Sequence, residues 1–358
     1  METPGSLKKL FRYFYSDGEF DISGLSDVNE ILDAAQARYD VVLCRLLMAS
    51  LDGEVWTDSA NTRLYFDQPS MKEIRPSRYV GLPESYQCVS GDARGVVRID
   101  PDGRAMSFGI VGSQYAVIQN AHLVSGALKL VEDADGELVG LKCAGTYDGG
   151  RKFYISSQAT ALTVDIGAYS EHFHRSVEYG TSHDSELGHY TLFLFSDPHT
   201  GCVLEHVLVK KRHTRRVWDA VSESQDALKQ LRETSDALVK DVQQLAGIQL
   251  PPDSPRFRAM LADCAESVCS RIRDFSSDDL EDATASIKKL FLENHRNRRG
   301  SNLWALYTAY LEVDDQVLMS ELSRKRSVPS LHQSSITTQT YGDIRRKTRS
   351  KLLKAGNP

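Results

Sequence analysis

Tyr190-Thr-Leu-Phe-Leu-Phe195 and Val203-Leu-Glu-His-Val-Leu-Val209 are two β-rich runs on either side of Asp197-Pro-His-Thr-Gly201. Aromatic and β-branched side chains suit a pleated, half-buried surface, and the Asp-Pro…Gly segment carries the chemistry of a tight reversal. The pair therefore predicts an antiparallel hairpin. The same pattern recurs upstream: Val96–Ile99 and Met106–Val111 flank Asp100-Pro-Asp-Gly103, and Leu138–Tyr147 and Lys152–Ser156 flank Asp148-Gly149-Gly150. Between those two pairs, Gln119 to Val131 has helical spacing. A hairpin, a helix and further hairpins predict an α+β fold, an antiparallel-sheet domain with a packed helix over residues 53–210.

Outward from that domain the period changes. Val217, Val221, Leu228, Leu231, Leu238, Val242 and Leu245 mark a narrow apolar seam suited to a helix hairpin or a short coiled coil. Arg256–Phe275, Asp278–Asn294 and Asn302–Ser323 read as further helices, so 211–323 is expected to be a helical region. Residues 324–358 have linker composition and are expected to form a basic flexible tail. On the N-terminal side, 1–52 reads as two helices. The first presents Leu7, Leu10, Phe11 and Phe14 on one face, and the second runs from Ser26 to Met48 with Ser26 as its cap. Unpartnered apolar faces on the first helix and on the seam predict a homo-oligomer, with the helical region as a surface for a protein partner.

Of the 358 residues, 41% are hydrophobic and 26% charged, which excludes a wholly disordered chain. No apolar stretch is long enough to span a bilayer. The six cysteines are scattered without a C-x-x-C, as expected of isolated core thiols. With no secretory leader pattern at the start, the expected setting is the cytoplasm of a bacterial host cell, without membrane contact.

No G-x-x-x-x-G-K-[ST], G-x-G-x-x-G, H-E-x-x-H or G-x-S-x-G occurs, so the common NTPase, dinucleotide, zincin and α/β-hydrolase readings have no support, and no cofactor is expected. One run of polar chemistry remains, His172, His174, His183, His189, His199 and His206. His172 and His174 share a strand face, and Glu171, Glu178 or Asp184 lie near enough in sequence to complete a metal site. A metal-dependent hydrolase or nuclease would use this region. The spacing matches no familiar ligand pattern, and structural histidines are the competing account.

The net charge is −6, yet the chain is polarised. From Arg324 onward nine basic residues face the single acid Asp343, leaving an acidic body with a basic arm. A second cluster, Lys210, Lys211, Arg212, Arg215 and Arg216, closes a strand and opens a helix, and would set phosphate-seeking donors at one edge of the fold. A third, His295-Arg-Asn-Arg-Arg-Gly300, reads as a polar loop between helices.

Phe108-Gly-Ile-Val-Gly-Ser-Gln-Tyr-Ala-Val-Ile-Gln-Asn120 resembles the core motif of the phage/plasmid-like protein family of bacterial mobile elements, a domain of unknown function (nine-three-two). Arg98-Ile-Asp100 precedes it as a short "R-x-D" strand does in that family. Ala144-Gly-Thr-Tyr-Asp-Gly-Gly-Arg151, Arg212-His-Thr214 and Gly300–Ala309 resemble later family segments in the same order. The family's segment before "R-H-T" is not recognisable here. The resemblance implies a phage or plasmid setting and no particular activity.

Read physically, Tyr115 could stack on a base while Gln119 and Asn120 hydrogen-bond one. Equally, Gly112 could close a hairpin, Tyr115 pack in the core and Asn120 cap the next helix. The leading expectation is a non-enzymatic nucleic-acid-binding protein, of single-strand annealing or recombination type by outline analogy with phage annealing proteins. Arg98, Arg151, Lys152, Lys210, Lys211, Arg212, Arg215 and Arg216 would track single-stranded DNA or another nucleic acid. Tyr115, Gln119 and Asn120 would contact its bases. A phage interaction protein or defence antagonist is the remaining alternative.

Overall fold

The computed structural model describes residues 16–50, 62–67, 87–88, 94–147, 149–167, 169–183, 188–213, 224–270, 272, 275–324 and 340–356. Its backbone is a six-stranded antiparallel sheet in the order β1-β7-β8-β9-β10-β11. The strands are β1 (Ser16–Asp21), β7 (Leu138–Tyr147), β8 (Lys152–Ile166), β9 (Tyr169–Ser182), β10 (His189–Ser196) and β11 (Val203–Lys211). From β7 onward the chain is a meander in which each strand pairs with the next, and β1 closes the β7 edge. A second antiparallel sheet holds β2 (Asp40–Ser50), β3 (Thr62–Asp67), β5 (Arg94–Ile99) and β6 (Ala105–Val111) in the order β3-β2-β5-β6, with the short β4 (Gln87–Cys88) also pairing with β2.

The helices are α1 (Val28–Ala34), α2 (Asn120–Asp133), α3 (Ser224–Gly247), α4 (Pro255–Cys269), α5 (Ser277–Leu290), α6 (Arg296–Arg299), α7 (Leu303–Arg324) and α8 (Thr340–Gly356). One wide π turn, Phe291–His295, joins α5 to α6. The three predicted hairpins and the helix after the first of them are present, so the α+β reading holds. At the β7–β8 turn the reason for glycine is direct. Gly150 has φ +85°, and a Cβ there would lie 2.6 Å from Arg98 Nη1.

Three boundaries differ from the sequence reading. Ser26 to Met48 is not one helix: Asp27 rather than Ser26 caps a short α1 by accepting from the Asn29 and Glu30 amides, and Asp40–Ser50 is a strand. Val41-Val-Leu-Cys-Arg-Leu-Leu47 is a short apolar run that either period accommodates. Pairing with β5 from Asp40↔Ile99 to Arg45↔Arg94 selects the strand. Residues 16–50 are therefore no separate helical unit, since their strands join both sheets.

The line at 210/211 does not divide the core either. One continuous cluster of buried side chains runs from Ile31 and Val96 through Phe153 and Phe193 to Leu245, Trp304 and Leu352. The seam of α3 is part of it. Leu228, Leu231, Leu238, Val242 and Leu245 are buried within this chain, so the described part of the seam is covered by the chain's own core. The positions Leu7, Leu10, Phe11, Phe14, Val217 and Val221 lie outside the described residues. The first half of α7 is apolar nearly all round, with Leu303, Trp304, Leu306, Tyr307, Tyr310 and Leu311 fully buried, as a central helix requires.

The third difference is the expected flexible tail. Residues 340–356 form α8, and its cations are tied into the body. Arg345 is buried among Asp314, Asp315 and the Val203 carbonyl, while Arg349 bonds Glu205 at 2.6 Å and Asp241 at 2.8 Å. Carboxylates on α7, α3 and β11 recruit the very charges that made the segment look like a solvated arm. The stretch 325–339 between α7 and α8 lies outside the described residues.

The His295–Gly300 segment is likewise not a polar loop. It contains the end of the π turn and α6, and Arg299 is fully buried, bonding Glu171 at 2.5 Å and Asp197 at 2.6 Å. Its Nη1 donates to His295 Nδ1 at 2.8 Å, which leaves the His295 Nε2 proton for Glu312 at 3.1 Å. Removing one partner of such a pair strands the other charge in low dielectric, at a cost of about 3–5 kcal/mol. Arg299→Ala should therefore lower the unfolding free energy by about that much in urea denaturation. Lys351→Ala, which breaks a mostly exposed pair with Asp263, should cost under about 1 kcal/mol. Equal midpoint shifts for the two variants would contradict this account.

Candidate nucleic-acid interface

Most residues expected to touch nucleic acid are occupied inside the fold. Arg98 donates to Asp100 at 2.6 Å and to the Gly149 carbonyl at 3.0 Å, with its guanidinium 4.1 Å from the Tyr39 ring centroid. It therefore fastens the second sheet to the β7–β8 turn. The Gln119 amide bonds both backbone groups of Val41, accepting from N at 3.0 Å and donating to O at 2.7 Å. Asn120 does not cap α2, whose cap position is Gln119. Its buried side chain instead donates to the Ala37 carbonyl at 3.0 Å and meets His183 Nε2 at 3.1 Å.

Tyr115 is half-buried, stacked on His213 at 4.8 Å, with its hydroxyl on the Ser182 carbonyl at 3.3 Å. Its ring face is already used. Lys152 is buried, and Arg151 is half-buried with its carbonyl accepting the His183 amide at 2.7 Å.

The resembling segments thus converge. Phe108 stacks on His183 at 5.8 Å, Asn120 bonds that histidine, and His213 bonds Thr181 at 3.0 Å while its carbonyl accepts the Ala116 amide at 2.9 Å. Side chains from 108–120 and 212–213 meet around His183 and link the two sheets.

The histidine run disperses. His172 bonds Thr163 and, like His174, points to solvent, whereas His183, His189 and His206 are buried. Among the described residues no group of three or more His, Cys, Asp or Glu side chains is placed to hold a metal. Nor is any helix among them long and apolar enough to cross a membrane.

The basic cluster at the end of β11 lies at the surface. Lys210, Lys211 and Arg212 are all exposed, and partial desolvation draws the Lys210 ammonium pKa down. Arg215 and Arg216 lie outside the described residues. Lys211 pairs in register with His189 across β10–β11 and Val209 with Thr191, so these four share the sheet face that α3 crosses. Between that face and α3 lies an open cleft of about 260 Å³, with Asp226, Lys229, Gln230 and Glu233 on the helix side and Phe193 on the strand side.

Sequence reasoning missed the cleft. Its only signals were the period-two spacing of His189, Thr191 and Phe193 and the helical spacing of 226, 229, 230 and 233. Neither says which helix lies over which strands.

No known family, curated protein or solved structure matches this chain.

Burial holds two histidines neutral beside this region. His183 is pushed down to about 3, by burial first and then by neighbouring His213. His189 is pushed down to about 4 by burial and His213, with the Gly180 backbone and Lys211 as smaller, opposed influences. The unfolded chain protonates these rings near pH 6.5 and the folded chain does so only at the lower values. Their stability contribution is thus complete above pH 6.5 and is lost as pH falls toward 4. Between pH 7 and 5 each should remove about 2 kcal/mol of unfolding free energy. Urea titrations at the two pH values should show this loss, and His183→Asn should reduce the difference by about half. A pH-independent midpoint would refute the assignment.

Proposed function

We propose that this chain is a non-enzymatic nucleic-acid-binding protein that contacts single strands, and that its setting is a phage or plasmid. The observation that carries the reading is the exposed Lys211–Arg212 end of β11 beside an open, partly apolar cleft. Two adjacent cations at a strand end can follow a phosphate backbone. The cleft next to them admits a group that is neither purely ionic nor purely apolar. Arg98, Lys152, Gln119 and Asn120, being engaged in the fold, have no part in the contact. Support for the mobile-element setting comes from the ordered resemblance of Phe108–Asn120 and its companion segments.

The chemistry is that of a binder. The cations would neutralise phosphates and release counterions, and no bond in the ligand is broken. On labelled single-stranded DNA, log K should fall with log salt at roughly −0.7 per phosphate contacted. Lys211→Ala/Arg212→Ala should weaken binding several-fold at low salt and flatten the slope by about 1.4. Salt-insensitive binding, or no binding at low salt, would refute the proposal.

A further inference from the structure

We infer that the cleft between β10–β11 and α3 is a pocket for one unpaired nucleotide whose base carries an exocyclic amino group: cytosine, adenine or guanine. This rests on the nucleic-acid reading above and adds what the site selects. Size gives the first bound. At about 260 Å³ the cleft is smaller than the roughly 300–1,000 Å³ pockets that hold drug-sized molecules, so it takes one base and not a stacked pair.

Phe193 and Val209 on the strands and Ala227 on the helix offer an apolar surface for a base. His189 borders the cleft on the strand side at 5% exposure, with its Nδ1 shielded from the opening.

Charge decides the class. Lys211 and Lys229 can meet one phosphate, but Asp226 and Glu233 line the same cleft and would repel a bare anion. Glu233 is only loosely held by Lys229, at 3.9 Å with both side chains largely exposed. A carboxylate beside a base edge accepts from an amino group, as Asp and Glu do from cytosine N4. Uracil and thymine offer a carbonyl oxygen at that position and would set two acceptors against each other. In a single strand the whole of that edge is unpaired, so the base can turn into a pocket.

The test titrates the full chain with CMP, AMP, UMP and inorganic phosphate by calorimetry, alongside a labelled single-stranded oligonucleotide. CMP and AMP should bind about tenfold tighter than UMP, which is one hydrogen bond's worth of discrimination, and phosphate should bind weakest. Asp226→Ala/Glu233→Ala, on exposed helix positions, should bring the CMP-to-UMP ratio toward one while leaving the fold intact by circular dichroism. Equal binding of phosphate and CMP, or of UMP and CMP, overturns the inference. Oligonucleotide binding with no nucleotide binding overturns the pocket and spares the nucleic-acid reading. Nucleotide binding with no oligonucleotide binding upholds the pocket and removes the polymer as its ligand.

Discussion

Buried guanidinium–carboxylate pairing holds this molecule together. Arg299 joins α6 to β9 through Glu171 and to the β10–β11 turn through Asp197, and Arg345 and Arg349 join α8 to α7, α3 and β11. Each arginine donates several hydrogen bonds in fixed directions, so it locates its partners as well as neutralising them. Hydrophobic burial supplies the larger share of stability and is nearly indifferent to the angle at which a helix crosses a sheet. The ion pairs are not indifferent. They fix where α7 and α8 lie on the sheet, and α3, which packs against α7 and α8, lies against β8 with its first turns beside β10 and β11.

That placement creates the cleft. β10 and β11 present His189, Thr191 and Lys211 on one face wherever the helices go, but only α3 crossing above them brings in Gln230, Lys229 and the two carboxylates. The open end of a helix–sheet layer is a natural position for a binding site, because the backbone there is rigid and fully bonded while the side chains at the rim are not. At the same end of β11, His213 stacks on Tyr115 and bonds Thr181, and His183 bonds Asn120.

The distinctive Phe108–Asn120 text illustrates how polar residues in a motif divide between chemistry and architecture. Gln119 behaves as a strand mimic, taking both backbone groups of Val41, and Asn120 bridges the loop before β2 to His183. Side-chain amides suit this role because each carries both a donor and an acceptor and no charge, so burial costs little once both are paired. The same two properties make them good readers of base edges, and sequence alone cannot separate the two uses.

Local chemistry determined the hairpins. Aspartate, proline and glycine at 100–103, 148–150 and 197–201 reverse the chain whatever surrounds them, and the apolar alternation beside each turn forces an antiparallel pair with one face inward. The helices α3, α4, α5 and α7 were legible for the same reason, because amphipathic or wholly apolar spacing at period 3.6 leaves few alternatives. What the sequence left open were questions answered by distant partners. Asp40–Ser50 became a strand because β5 offered it a ladder, and 340–356 became a packed helix because Asp314, Asp315 and Glu205 offered its arginines buried carboxylates. The cleft was likewise invisible, because Lys211 and Gln230 belong to different elements that meet only after the helices dock. Turn chemistry and periodicity act over a few residues and can be read one segment at a time. Desolvated charge pairing and helix-over-sheet placement depend on groups a hundred or more residues apart, and only the folded chain brings those together.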